Sequence, residues 1–252
     1  MKKLNKKRKN VMSKLVRAYY TWVKDSSEHF GYEGKEETIM KYENIRKQVL
    51  DAILEAVDLG LIKGTSGNIA VRDDNEDVVA ITPSGIAYKT MTVDQIAIVD
   101  LNGKWLDGPF KPSSEVPMHT TVMRCRPDVK ATVHTHGMFA TIMAMLDEEL
   151  KPTTPPQAEF VPVRVVPFTM PGSKDLAQIV ADTLGADGRA VLMKNHGMFC
   201  CGKNIKAAMA ATIYTEEMAQ TAYYAKLLGK FQPMSDEAVA AMKALIAADQ
   251  AV

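Results

Sequence analysis

Three histidines and a glutamate offer the most direct chemistry in this sequence. His134 and His136 lie in VKATVHTHGMF, where β alternation puts residues two apart on one face, so both imidazoles can reach the same ion. His196 ends the strand-like run AVLMKNHG, and Gly197 after it gives the backbone freedom to turn at a site. Three neutral imidazoles with an open fourth position describe a catalytic zinc site better than a structural one. An H-x-H pair alone fits two ordinary strand residues equally well, and His196 fits an ordinary turn. Scarcity favours the site: the chain has five histidines, and three of them fall at strand ends in segments otherwise poor in polar groups.

Glu115 stands in KPSSEVPMHTTVMRC, where Pro112 breaks the preceding chain and Ser113 or Ser114 is suited to cap a helix beginning near Glu115. A helix N-terminus presents free N–H groups and partial positive charge, which bind phosphate. A plain capping serine followed by a dipole-favoured glutamate has the same pattern. The loops GTSGN at 64–68 and TPSG at 82–85 expose N–H groups and hydroxyls that can hold phosphate, and each also reads as a tight turn. His119, one helical turn beyond Glu115, either packs or faces the same pocket, and His29 reads as a surface residue. The chain contains no G-x-x-x-x-G-K-[ST], G-x-G-x-x-G or G-x-S-x-G, so nucleotide-binding and serine-hydrolase readings lack their usual residues.

Elements of both kinds must position these residues. Apolar positions recur at helical spacing in 11–23, with a basic opposite face, and again from Ile39 to Val57. Between Gly64 and Val166 the texture changes to short β-rich runs, NIAVR, DVVAIT, QIAIVD, VKATVHTH and FVPVRVV, with helical patterns at 114–125 and 137–146. SKDLAQIVADTL and NIKAAMAATIYTEEMAQTAYYAKLLG read as helices around the strand RAVLMKN. At the end, Ser235 can cap an alanine-rich helix within 234–252, packed on its own domain or oligomer rather than serving as a docking peptide. The class is α/β, with helices covering a sheet.

At 252 residues, 46% hydrophobic and 24% charged, the chain is long enough for a single globular domain over 1–252, with residues 1–38 as a basic N-terminal extension. Lys plus Arg number 31 against 30 Asp plus Glu, which leaves no charge excess to hold nucleic acid or an anionic membrane. No stretch reaches the ~18 apolar residues of a membrane span. Cys125, Cys200 and Cys201 form neither a C-x-x-C site nor an even disulfide framework, as expected of a protein in a reducing cytoplasm.

The motifs GTSGNIAVR, ITPSGI, KPSSEVPMH, HTHG and KNHGMF, in that order, resemble the class II aldolase/adducin family. The resemblance spans about Gly60 to Gly229 and rests on five ordered motifs. It implies a three-layer α/β/α fold with a mostly antiparallel central sheet, assembled as a homotetramer with sites between subunits. It implies a metal site of His134, His136 and His196 holding zinc, with manganese or cobalt as alternatives, and Glu115 beside it as acid/base. Ser113 and Ser114 would hold substrate phosphate, joined by Gly67 with Asn68 and Ser84 with Gly85. The implied reaction cleaves a ketose 1-phosphate to dihydroxyacetone phosphate and an aldehyde; fuculose, rhamnulose, 5-deoxyribulose and methylthioribulose phosphates are the candidate substrates.

The sequence departs from this pattern at the aldehyde end. Aldolases of the family use a tyrosine from a neighbouring subunit, located after the H-x-H strand, whereas residues 137–171 contain none and no tyrosine follows Tyr224. Gln157 and Glu159 are the nearest polar candidates there. Among rival functions, a ribulose-phosphate 4-epimerase would carry aspartate at Glu115, and a decarboxylase has less use for paired serines. An adducin-like binding module would have lost the ligands that this chain retains.

Overall fold

The computed structural model of the chain describes residues 40–249; the helical stripe at 11–23, His29 and the extension to residue 38 lie outside the described residues. The first described helix, α1 (Glu43–Asp58), buries Ile45, Val49, Ala52, Ile53 and Ala56, the positions that recur every three or four residues. Its buried Arg46 reaches out of the helix to the Ile96 carbonyl and the Asp107 carboxylate, tying α1 to the far edge of the sheet.

Eight strands follow: β1 (Asn68–Arg72), β2 (Val78–Ile81), β3 (Ala97–Asp100), β4 (Trp105–Asp107), β5 (Ala131–Thr135), β6 (Arg164–Val166), β7 (Ala190–Met193) and β8 (Gly197–Gly202). They form one sheet in the order β4-β3-β2-β1-β5-β8-β7-β6, antiparallel throughout except for the pair β6–β7. Helices α2 (Val116–Cys125), α3 (Met138–Met145), α4 (Lys174–Leu184), α5 (Ile205–Leu227) and α6 (Asp236–Asp249) are the remaining α-helices among the described residues.

Strand alternation divides the interior into two cores. Ile69, Val71, Ala131, Val133, Leu192, Met198 and Cys200 pack with α1, α3 and α5, while Ala70, Val79, Val191, Phe199 and Cys201 pack with α2 and α4. The expected three-layer α/β/α arrangement with a mostly antiparallel sheet is therefore present.

Several boundaries differ from the sequence reading. Strand β8, GMFCCG, carries no alternation and two glycines, yet all six of its residues are buried between β5 and β7. Strand β4 is a three-residue exposed edge, too short to register as a pattern. In FVPVRVV only Arg164–Val166 is strand, because Pro162 lacks the N–H a ladder needs and a 3-10 turn occupies Pro155–Phe160. The final helix is capped as expected, with Ser235 Oγ accepting from Ala238 N at 3.2 Å. It lies along the 155–160 turn, where Lys243 Nζ donates to the Val161 carbonyl at 2.6 Å, and it buries no residue.

Candidate active site

The three histidines meet at one end of the central strands. In β5, His134 sits opposite Asn68 of β1 on one side and Phe199 of β8 on the other. His136 follows the strand end on the same face, and its Nε2 lies 3.0 Å from His134 Nε2. His196 arrives from the β7–β8 turn, and the potential ligand atoms of all three rings lie within 4.8 Å of one another. The left-handed residue of that turn is Asn195 (φ 55°), not Gly197. Gly197 is needed for a different reason: a Cβ there would stand 2.3 Å from the Thr135 carbonyl oxygen and 3.1 Å from His136 Cδ2. The glycine lets β8 pass against the histidine-bearing strand end; it does not make the turn.

The donor set suits a cation. His134 Nδ1 donates to the Met198 carbonyl at 2.8 Å, which leaves the Nε2 lone pair facing the cluster. Burial lowers the His134 pKa to about 4 and also lowers those of His136 and His196, so all three rings are neutral at neutral pH. Glu115 Oε2 lies 3.1 Å from His134 Nε2, and Oε1 lies 3.4 Å from His196 Nε2. The His134 Nε2 lone pair and the carboxylate oxygen facing it at 3.1 Å are mutually repulsive, and a positive ion between them removes the conflict. Buried Glu115 Oε1 and His196 Nδ1 have no hydrogen-bond partner within the chain. Three imidazoles and an adjacent carboxylate therefore fit a divalent metal, with nitrogen donors in the number a catalytic zinc site uses.

Glu115 is itself the residue before the first turn of α2, and the helix runs on through Pro117. The serines do not cap the helix as expected. Ser113 Oγ accepts from the Glu115 N–H at 3.2 Å, forming a turn that aims the carboxylate inward, and Ser114 is exposed. Burial by itself would raise the Glu115 pKa; the positive charge His134 gains when it is protonated in acid and the hydrogen bond from Asn68 Nδ2 at 2.9 Å outweigh it and hold the carboxyl below its ordinary value.

The remaining predicted residues surround a cleft of about 280 Å³. It is lined by Gly67, Asn68, Ser84, Gly85, Ser113, Ser114, Glu115, His136 and His196, so the separate loops do converge. Backbone bonds hold the loops together: Ser84 N donates to the Lys111 carbonyl at 2.8 Å and Ser113 N to the Thr82 carbonyl at 3.1 Å. Gly67 (φ 96°) must be glycine, since a Cβ would come within 2.8 Å of the His134 carbonyl oxygen.

Comparison with known proteins agrees with this geometry. Residues 47–223 match the family described as Class II Aldolase and Adducin N-terminal domain. The chain belongs to the class II aldolase/adducin family. A 5-deoxy-D-ribulose 1-phosphate aldolase of Bacillus thuringiensis is 36% identical over 73% of this chain and 87% of its own length. An L-fuculose phosphate aldolase of Escherichia coli is 31% identical over 80% of this chain and 93% of its own. Among solved structures, an L-fuculose 1-phosphate aldolase superposes with a TM-score of 0.76 at 31% identity, covering 81% of this chain and 96% of that one. The L-fuculose-1-phosphate aldolase of Thermus thermophilus follows at 0.66 and 26%, covering 76% and 98%. The chain is an enzyme of the class II aldolase type.

Against that family frame, neither candidate for the aldehyde end lines the cleft. Gln157 is fully buried, and its Oε1 accepts from the Thr153 and Thr154 N–H groups at 2.8 and 3.2 Å, closing the 3-10 turn it sits in. Glu159 is exposed on the same turn. Thr65, Ser66 and Pro83 of the two predicted loops also line the cleft, and the structure adds two lining residues that spacing gave no reason to select, Tyr88 and Pro171. Tyr88 donates to the Gly67 carbonyl at 2.6 Å and so braces the 64–68 loop; burial raises its pKa to about 12. No local signal marks it, because its partner is 21 residues away.

Proposed function

We propose that this chain is a divalent-metal-dependent aldolase that cleaves a ketose 1-phosphate to dihydroxyacetone phosphate and an aldehyde. The observation that carries the reading is the convergence of His134, His136 and His196 within 4.8 Å, with the Glu115 carboxylate 3.1 and 3.4 Å from two of them. His134, His136 and His196 would hold the metal, with zinc favoured by the donor set over manganese or cobalt. When bound, the ion supplies positive charge that polarises the ketone.

The chain's own residues do the rest. Glu115, ionised at neutral pH, takes a proton from the carbon beside the ketone in the bond-forming direction and returns it during cleavage. Ser113 accepts a backbone N–H and so keeps its own hydroxyl proton to donate to phosphate, alongside the exposed hydroxyls of Ser84 and Ser114. Gly67 and Gly85 offer backbone N–H groups in the cleft, and Asn68 lines it beside Gly67, with the second hydrogen of its amide nitrogen left over for phosphate once the first is given to Glu115. The reading includes the homotetramer and a cytoplasmic setting. No helix among the described residues is long and apolar enough to cross a membrane.

Metal analysis joined to an assay of ketose 1-phosphates for released dihydroxyacetone phosphate tests the proposal. Fuculose, rhamnulose, 5-deoxyribulose and methylthioribulose phosphates form the panel. Protein that binds no divalent metal, or that keeps full activity as His134→Ala, would sink it.

A further inference from the structure

Behind Glu115 runs a string of buried polar side chains that the proposed chemistry does not touch. Thr132 Oγ1 lies 2.6 Å from His119 Nδ1, His119 Nε2 lies 2.5 Å from Asn68 Oδ1, and Asn68 Nδ2 lies 2.9 Å from Glu115 Oε2. Thr132 and His119 have no exposed surface, and Asn68 and Glu115 are each 6% exposed.

The direction of every bond follows from the anionic end. A carboxylate only accepts, so Asn68 offers it an N–H and turns its amide oxygen towards His119. That oxygen also accepts, so Nε2 of His119 must carry hydrogen. Burial keeps the ring neutral, with its pKa lowered to about 3, and a neutral ring has a single N–H. Nδ1 therefore accepts the hydroxyl proton of Thr132.

We infer that His119 is a positioning residue: its Nε2–H fixes the Asn68 amide so that Asn68 always presents a donor to Glu115, and Thr132 selects the tautomer that makes this work. The inference rests on Glu115 being the proton carrier proposed above. His119 also packs edge-on against Phe199, with ring centroids 5.3 Å apart, and a packing role alone needs only shape. It would not need both ring nitrogens held by directional partners. Without the Nε2–H, the Asn68 amide loses the partner that keeps its oxygen away from the carboxylate, and Glu115 can be met by a repelling oxygen in place of a donor.

Three variants of the full-length, metal-loaded protein test this: His119→Leu, which keeps bulk and removes both bonds; His119→Gln, which restores an N–H donor; and Thr132→Val. Thermal unfolding and bound metal per subunit are measured alongside kcat, KM and the exchange of the carbon-bound proton of dihydroxyacetone phosphate with solvent. The expected result for His119→Leu is a fall in kcat and in proton exchange of roughly 10–100-fold, with KM within about twofold and metal content unchanged. His119→Gln should recover most of that loss, and Thr132→Val should show a smaller loss of the same kind. Unchanged kcat in a folded His119→Leu protein, a loss confined to KM or metal content, or His119→Gln no better than His119→Leu would overturn the inference.

Nitrogen-15 NMR of the His119 ring in the wild-type, metal-free protein needs no variant to fold. An Nε2-protonated neutral ring is expected, and an Nδ1-protonated or charged ring overturns the assignment. Wild-type protein that binds metal but cleaves no ketose phosphate would reject the proposed function instead, and the ring tautomer would still decide the string.

Discussion

The two faces of the central sheet are made by the same strands and do different work. On one face β1, β5 and β8 present Ile69, Val71, Ala131, Val133, Met198 and Cys200, packed under α1, α3 and α5. On the other they present Asn68, Ala70, Thr132, His134, Phe199 and Cys201 towards α2 and α4. The first face is apolar and holds the fold by burying area, at roughly 1.5–3 kcal/mol for each large side chain. The second carries a polar string at comparable depth, tolerable because its members satisfy one another. Apolar burial is thus shared by both sides and orientation is confined to one, with the cleft opening where the second side reaches the strand ends.

The largest test of that division is at the metal end. His134→Ala should lose its metal and at least about 10³-fold in cleavage, whereas Glu115→Gln should keep the metal and lose about 10²–10⁴-fold, read by metal content and kcat on one preparation. Equal metal loss in both would place Glu115 among the indispensable ligands and not beside them. Next, Leu192→Ala on the apolar face should lower the unfolding free energy by about 2–5 kcal/mol in denaturant titration, leaving KM and metal stoichiometry unchanged. A change in KM there would show that the faces are coupled.

Acid should act through the polar face. His119 takes up a proton near pH 6.5 when unfolded but only near pH 3 when folded, so its contribution is complete above pH 6.5 and is lost as pH falls from there towards 3. Urea melts of metal-free protein between pH 7 and pH 4 should show this slope together with those of His134, His136 and His196, and His119→Gln should reduce it by the share of His119. The smallest effect is expected at Tyr88→Phe, which removes the brace on the Gly67 carbonyl and should raise KM for phosphorylated substrate by a few-fold with little change in kcat.

Much of this was legible in the sequence because it is local. Helical spacing located α1, α2, α4 and α5, and alternation located β1, β2 and β5 together with the shared face of His134 and His136. The ordered motifs pointed to the loops that line the cleft. Strand β8 escaped notice because glycine and cysteine carry little strand signal, and its burial is imposed by the neighbours on either side. The turn at Ser113 was not legible because a helix-capping pattern and a carboxylate-aiming turn look alike until the hydrogen bond is seen.

The sequence by itself thus determined which residues could act and where most of the helices and strands lie, β4 and β8 excepted, since periodicity and side-chain chemistry are properties of neighbours in the chain. Only the tertiary structure decided that Asn68 serves Glu115 across 47 positions and His119 across 51. It also brought His196 to the pair at 134 and 136. Those contacts depend on the order in which the strands pair, and strand order is set by the packing of the whole sheet, not by any segment within it.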